Sequence, residues 1–421
     1  MFRTLLLVPL LAGCPGEVKS FGSDTGDDSG GGEGGDGGEG GEGGGPSDET
    51  VLREAIDGSR DASDAIAAVA ASKGLPVKTG DGTFLFACLC GDGPWYLAGD
   101  HDGWAGAEMA EAGDLWWIEV DIADPDGSLY KFWDGADTWI PDPRGRRYGY
   151  DDFGEYSMVR ASAAHLERWY DVEAEGLQPR DLQVYVPQDG SFTHLLYAHD
   201  GQNLFDPNAF WGGWRLDESV PADMLVVGID NTSDRMEEYT HTTDTLDGDT
   251  YGGWGEQYAA LVEETVRPMM EDAYGTPDVT GTMGSSLGGL ISFYIADQYE
   301  DRYDMAISLS GTMGWGSLEQ HNPTMIEIYA DAGHRSTRLY LDSGGGPGGD
   351  DCADADGDGI DDDDLEADDN YCENRQMADT LQGIGYEYEV DLWHWWEPDA
   401  EHNEAYWADR VYIPLDLFAS L

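Results

Sequence analysis

Gly284-Ser285-Ser286-Leu287-Gly288-Gly289 follows a β-like run, Val279-Thr280-Gly281-Thr282-Met283, and precedes a helix-like one, Leu290-Ile291-Ser292-Phe293-Tyr294-Ile295-Ala296. The pattern is strand, tight turn, helix, with Ser286 at the centre of G-x-S-x-G. That context makes a common pentapeptide a nucleophile elbow. Glycines two places either side of the serine let the turn take strained angles and let strand and helix approach closely. The hydroxyl then stands clear of the sheet, near the positive end of a helix.

From about Leu182 the sequence alternates β and α patterns, as a doubly wound sheet requires. Leu182, Val184 and Val186 alternate with Gln183 and Tyr185, as a strand should. Leu195 to Ala198 is a second short strand. Met224-Leu225-Val226-Val227-Gly228-Ile229 is a near-continuous apolar run, typical of a buried parallel strand. Met305 to Ser310, Arg338 to Asp342 and Tyr386 to Trp395 predict further strands. Tyr258 to Tyr274 and Arg375 to Gly383 predict helices, and a closing helix starts near Tyr406.

An acyl-transfer site needs a base, an orienting acid and an oxyanion hole beside its nucleophile. In α/β-hydrolases the chain order is Ser, acid, His. His321 and His334 precede the strand that should carry the acid, and His394 is fixed inside the last strand. His402, in the following loop, is the expected base. The acid should follow Leu341-Asp342-Ser343-Gly344, where an acidic insertion intervenes. Asp342 comes too early and reads as structural. Asp369 is preferred, with Asp350 and Asp351 as alternates. Leu287 supplies one oxyanion amide as the residue after the nucleophile. Gln202, in the turn after Leu195–Ala198, is assigned the other.

Asp200-Gly201-Gln202-Asn203-Leu204-Phe205, Arg235-Met236-Glu237-Glu238-Tyr239-Thr240, Gly284 to Gly289 and Ala400-Glu401-His402-Asn403-Glu404 occur in the order expected of one family. Together they resemble the putative esterase (esterase D/enterochelin esterase-like) family over about 230 residues. The resemblance implies an α/β-hydrolase fold, serine ester hydrolysis and no catalytic metal. Asp369-Asn370-Tyr371 looks like the acid-Asn-aromatic run of some members.

Thr83 to Val159 has short alternating strands with turn signals, reading as a small antiparallel sandwich. Leu97 to Trp104, Tyr130-Lys131-Phe132 and Trp139 to Pro143 resemble the early-set, immunoglobulin-like modules of the glycogen-binding/isoamylase type. Such modules also precede the catalytic domain of enterochelin esterases. The resemblance places Trp104, Lys131 and Trp139 at sugar-binding positions, and a sugar face can stack on indole. The turn Phe153-Gly154-Glu155-Tyr156-Ser157 departs from that family's polar sugar-binding turn, which favours a structural module over a glycan binder.

The start of the chain carries Arg3, an apolar run from Leu5 to Leu11, then Leu11-Ala12-Gly13-Cys14. This is a secretory signal, and Leu-Ala-Gly-Cys resembles a bacterial lipobox. The resemblance makes Cys14 the lipidated first residue of an exported lipoprotein at the outer membrane or cell surface. The run is too short to span a bilayer. Residues from about Gly22 to Ser47 are almost only Gly, Glu, Asp and Ser, which cannot bury apolar surface and read as a flexible tether. The formal net charge of −65, from 21 Lys+Arg against 86 Asp+Glu, opposes nucleic-acid partners, which need basic contacts to phosphate. It favours solubility and divalent cations.

Without Cys14, four cysteines remain, and an exported chain favours disulfides. Cys352 and Cys372 bracket the acidic insertion and are expected to pair. Cys88 and Cys90 sit at i and i+2 of a strand-like run, an awkward geometry for bonding, so their pairing stays open and reduced core cysteines are the reading adopted. Within the insertion, Asp354-Ala355-Asp356-Gly357-Asp358-Gly359 offers alternate carboxylates suited to Ca²⁺. Asp354, Asp356, Asp358, the Ile360 carbonyl and Asp362 are candidate ligands, in a loop resembling thrombospondin type 3 calcium loops. The ion's role would be structural, and no cofactor is expected for catalysis.

The expected organisation is signal 1–14, tether 15–49, a helix plus β-sandwich 50–165, and an α/β-hydrolase domain 166–421 with an insertion at 350–372. The expected function is an exported serine esterase, enterochelin-esterase-like, acting on a small-molecule ester. Alternatives are a feruloyl or acetyl esterase on polysaccharide, and a non-catalytic glycan-binding surface protein.

Overall fold

A computed structural model describes residues 45–246, 248–346, 352–354, 356–361, 363 and 369–421. Cys14, most of the expected tether, and Asp350, Asp351 and Asp362 lie outside these residues.

Six parallel strands form the centre of the molecule. In spatial order they are Leu392–Glu397, Arg338–Gly344, Met305–Leu309, Val279–Ser285, His194–His199 and Met224–Ile229. Their side chains alternate between two cores, as the two-residue strand period demands. Leu195, Tyr197, Leu225, Val227, Ala306, Leu339 and Leu341 face one core, which holds the helix Leu287–Gln298. Leu196, Ala198, Met224, Val226, Ile307, Leu309 and Tyr340 face the other, which holds Trp407, Val411, Leu415 and Phe418. Burial on both faces explains why these strands read as apolar runs. The chain is therefore a mixed α/β protein.

Beyond Met224–Ile229 the sheet continues antiparallel through Arg180–Val186, His165–Val172, Arg147–Asp151, Gly154–Met158, Leu129–Trp133 and Tyr96–Gly99. The boundary expected at 165/166 falls on the first residue of the strand His165–Val172. The seam across it contains the register pairs Leu166↔Tyr148 and Glu167↔Arg147. It is reinforced by ion pairs of Arg147 with Glu167 and of Arg168 with Glu155, each at 3.0 Å. A second, four-stranded sheet contains Thr83–Cys88 and Leu115–Asp121. It packs Phe84 and Phe86 against Leu97, Tyr130 and Phe132 of the long sheet. The helices Asp48–Ile56 and Ala62–Ala71 cover its other face. Arg146 fastens them to the seam, donating to the carbonyls of Ala70 at 2.6 Å and Arg168 at 2.8 Å.

Several expectations need correction. Cys88 and Cys90 form a disulfide. The strand ends at Cys88, so Cys90 leaves the extended register, and the Cα atoms close to 5.3 Å instead of the roughly 6.7 Å of i and i+2 in a strand. The last strand is Leu392–Glu397 rather than Tyr386–Trp395, because residues 386–391 turn: the amides of Asp391 and Leu392 both bond the Glu387 carbonyl. The helix expected over 258–274 starts at Gly255 and widens into a π segment at Leu261–Val266. The chain is already helical at Asp48, capped by Ser47, within the expected tether.

Candidate active site

Ser286 follows the strand Val279–Ser285 directly and is the N-cap of the helix Leu287–Gln298, with φ +57° and ψ −126°. Of the flanking glycines, Gly284 is required by close contact. A Cβ on Gly284 would lie 2.5 Å from the backbone carbon of Gly288, so strand and helix could not close around the serine. The turn is tied to the next strand, where the Ser286 amide bonds the Leu309 carbonyl at 3.0 Å. Leu287, the first helical residue, has an amide with no acceptor inside the helix, as oxyanion stabilisation requires.

His402 sits in the loop after Leu392–Glu397, the edge strand of the parallel set, three strands from Val279–Ser285. Because that strand runs parallel to Val279–Ser285, the loops carrying Ser286 and His402 leave the same edge of the sheet. The His402 ring is 37 % exposed, and Trp407 lies edge-on to it with centroids 5.0 Å apart. Its Nδ1 bonds Asp369 Oδ1 at 2.7 Å, which leaves Nε2 as the proton acceptor.

Asp369 is the sequence candidate that the structure brings to His402. Its side chain is 1 % exposed. Oδ2 accepts from Gly344 N at 2.6 Å, Ser310 Oγ at 2.7 Å and Arg410 Nη2 at 3.2 Å. Burial pushes its carboxyl up, but the His402 hydrogen bond, the charges of His402 and Arg410 and the Ser310 bond outweigh burial and hold it below the usual carboxylate range. Asn370, at φ +53°, donates through Nδ2 to the Ser310 carbonyl and to Thr312 Oγ1. The Thr312 amide bonds the Ser286 carbonyl at 3.2 Å, so one turn connects acid and nucleophile.

Gln202 lies in the turn after His194–His199. Its side chain accepts from the Asn231 amide at 3.0 Å. The turn is fastened by Asp200, at φ +60°, through a two-pronged pair with Arg235 at 2.7 and 2.8 Å and a bond from Asn231. Gly201 admits no side chain, since a Cβ would lie 2.6 Å from Asp230 Oδ1. A cavity of about 360 Å³ opens between this turn and the N-terminal strands, lined by Tyr148, Tyr150, Glu155, Arg168 and Gln202 among others.

The remaining candidates lie elsewhere. The carboxylates of Asp354, Asp356 and Asp358 come within 4.8 Å of one another, and amides of 357–360 bond into them. Ile360 is buried in the main core, and its loop is linked to the acid-bearing segment by the Cys352–Cys372 disulfide. Trp104 and Trp139 are 37 % and 41 % exposed, with centroids 6.2 Å apart. Trp133 stacks on one face of Trp139. Lys131 is buried, and its ammonium donates to the Phe153 carbonyl at 2.9 Å. The departing Phe153–Ser157 turn thus occupies the lysine. Sequence reasoning missed Ser310 and Arg410. Neither belongs to a motif, and only the fold brings them to Asp369.

Residues 177–412 match the model of the family described as putative esterase. An uncharacterized protein, YbbA, of Bacillus subtilis is 26 % identical over 144 residues. That alignment covers 32 % of this chain and 57 % of the relative, so the chain spans little more than half of that protein's length. Among solved structures, the enterobactin esterase of Shigella flexneri aligns at 14 % identity and TM-score 0.43, covering 82 % of this chain and 96 % of the other. An IroE-like serine hydrolase of Shewanella oneidensis aligns at 18 % identity and TM-score 0.47, covering 60 % and 80 %. The siderophore hydrolase EstB of Aspergillus nidulans aligns at 17 % and 0.41, covering 59 % and 93 %.

Proposed function

Because the chain belongs to the putative esterase family, we propose that it is a carboxylic-ester hydrolase working through Ser286, His402 and Asp369. Ser286 Oγ attacks the ester carbonyl while His402 Nε2 takes its proton. Asp369 holds the tautomer that carries its proton on Nδ1 and stabilises the imidazolium. The amides of Leu287 and Gln202 stabilise the oxyanion. The imidazolium then protonates the departing alcohol, and water, activated by the same imidazole, releases the acid and restores Ser286. The observation that carries this reading is the 2.7 Å bond between His402 Nδ1 and a buried carboxylate, on a loop that leaves the same sheet edge as a serine held at positive φ. Hydrolysis of a short-chain p-nitrophenyl ester tests it. Ser286→Ala should lower kcat by about 10⁴-fold or more, and equal, substantial rates in parent and variant would mean a different nucleophile.

An enterochelin-type ester of a small molecule is the first substrate class to assay. An acyl ester on polysaccharide is the second, favoured by the neighbouring exposed indoles of Trp104 and Trp139. The N-terminal β-rich part is taken as an early-set module, lipidated Cys14 as a membrane anchor, and Asp354, Asp356 and Asp358 as ligands of a structural Ca²⁺. Detergent partitioning of Cys14→Ser and calcium titration of the whole protein test the last two.

A further inference from the structure

Asp369 enters the site from an insertion, so its own strand does not hold it. What holds it is a group of buried side chains from three separate places. Arg410, on the helix Glu404–Arg410, is 4 % exposed at its side chain. Its Nη2 reaches Ser310 Oγ at 2.6 Å, Asp342 Oδ1 at 3.0 Å and Asp369 Oδ2 at 3.2 Å. Asp342 is wholly buried. It also accepts from the Ser310 amide and from the Tyr340 hydroxyl, each at 3.2 Å.

The hydrogen-bond inventory fixes the protons. Trp407 Nε1 and Arg410 Nη2 can only donate, and both point at Ser310 Oγ. Ser310 therefore spends its own proton on Asp369. The partners of Asp369 named above place it as an anion. Burial pushes the Asp342 carboxyl up against the pull of Arg410, yet its Oδ1 meets two obligate donors, the Arg410 guanidinium and the Ser310 amide, which places it as an anion too.

Two carboxylates around one guanidinium carry a net charge of −1. An arginine paired with Asp369 alone would fix the acid but cancel the negative charge that the His402 imidazolium needs. Sharing the guanidinium with Asp342 retains that charge. In a dry site such a difference is felt strongly, because little solvent screens it.

We propose that Arg410 is a positioning residue for Asp369, and that Asp342 sets the charge of the cluster so that it still faces His402 as an anion. This rests on the triad reading. Neither residue touches substrate or the reacting atoms.

The test is steady-state kinetics on Arg410→Met, Asp342→Asn, the double variant and Asp369→Asn, with circular dichroism and melting to compare folds. Each single change should lower kcat by about 10- to 10²-fold and leave KM within about twofold. The double variant, which restores a net −1 on Asp369 alone, should lose less than the product of the two single losses. Chemical rescue is the second readout: in Arg410→Ala, guanidinium below denaturing concentration should raise kcat and leave the parent's kcat unchanged. Full activity in both single variants, or losses that multiply in the double variant, would overturn the proposal. If Arg410→Met does not fold, Arg410→Lys and Asp342→Asn decide, since the first keeps the charge and should retain most activity while the second should not. If Asp369→Asn itself is fully active, the triad reading fails instead.

Discussion

Ser286 holds backbone angles that cost a non-glycine residue about 1–3 kcal/mol. The strain persists because strand, helix and the Leu309 carbonyl determine it together. Ser286→Gly should therefore abolish hydrolysis while raising stability by about 1 kcal/mol, read as a higher urea midpoint with unchanged slope. Asp230 is strained electrostatically. Burial raises its carboxyl to about 7, against the pull of the Gln183 hydrogen bond, and its Oδ1 is buried without a partner among the described residues. Its folded value exceeds its unfolded one, so the folded state is penalised as pH rises through the unfolded value, and the penalty is complete above about 7. Asp230→Asn should raise Tm at pH 8 by about 2–4 °C and leave it unchanged at pH 4. Asp369 has the opposite sign. Its lowered carboxyl contributes stability present above the unfolded value of about 3.9 and lost as pH falls further.

Among the elements, the insertion is the one tied to function by its anchoring. Ile360 enters the main core, Asp363 accepts from the amides of Cys372 and Glu373 at the start of the helix Tyr371–Ile384, and Cys372 is bonded to Cys352. Asp369 lies between these anchors. Ile360→Ala should cost about 2 kcal/mol in urea unfolding and lower kcat more than KM. Calcium bound to the folded loop alone would add about 2.7 kcal/mol at a hundredfold excess over Kd, so chelation should lower Tm. The central elements were legible in the sequence because apolar runs and glycine spacing report local physics: Met224–Ile229 and the Ser286 turn stand where pattern placed them. The pairing of Cys88 with Cys90 was not, because it depends on where a strand stops. Arg410 and Ser310 were not either, since nothing local marks a side chain whose role comes from a partner 41 or 59 residues away. Lys131 shows the converse, a motif position whose ammonium the neighbouring turn already uses.

At the scale of the whole molecule two features dominate, charge and sheet continuity. A net charge of −65 works against compactness by self-repulsion, and salt screens it. Tm should rise between 10 mM and 1 M NaCl, measured by differential scanning calorimetry, and equal values would mean the charges are too dispersed to matter. The N-terminal strands continue the catalytic sheet through the pairs Leu166↔Tyr148 and Glu167↔Arg147. A fragment of 166–421 would expose an unpaired strand edge and the apolar face of Leu166, and should elute as self-associated species. This seam also bears on inheritance. Gene shuffling exchanges parts most readily where a flexible joint separates them, and here the joint is a hydrogen-bonded strand. A recombinant lineage that swapped the front half would need a donor whose terminal strand matched in register and in charge. A front half joined by such a strand is exchanged less freely than one joined by a hinge, because its replacement must fit Tyr148 and Arg147 opposite Leu166 and Glu167.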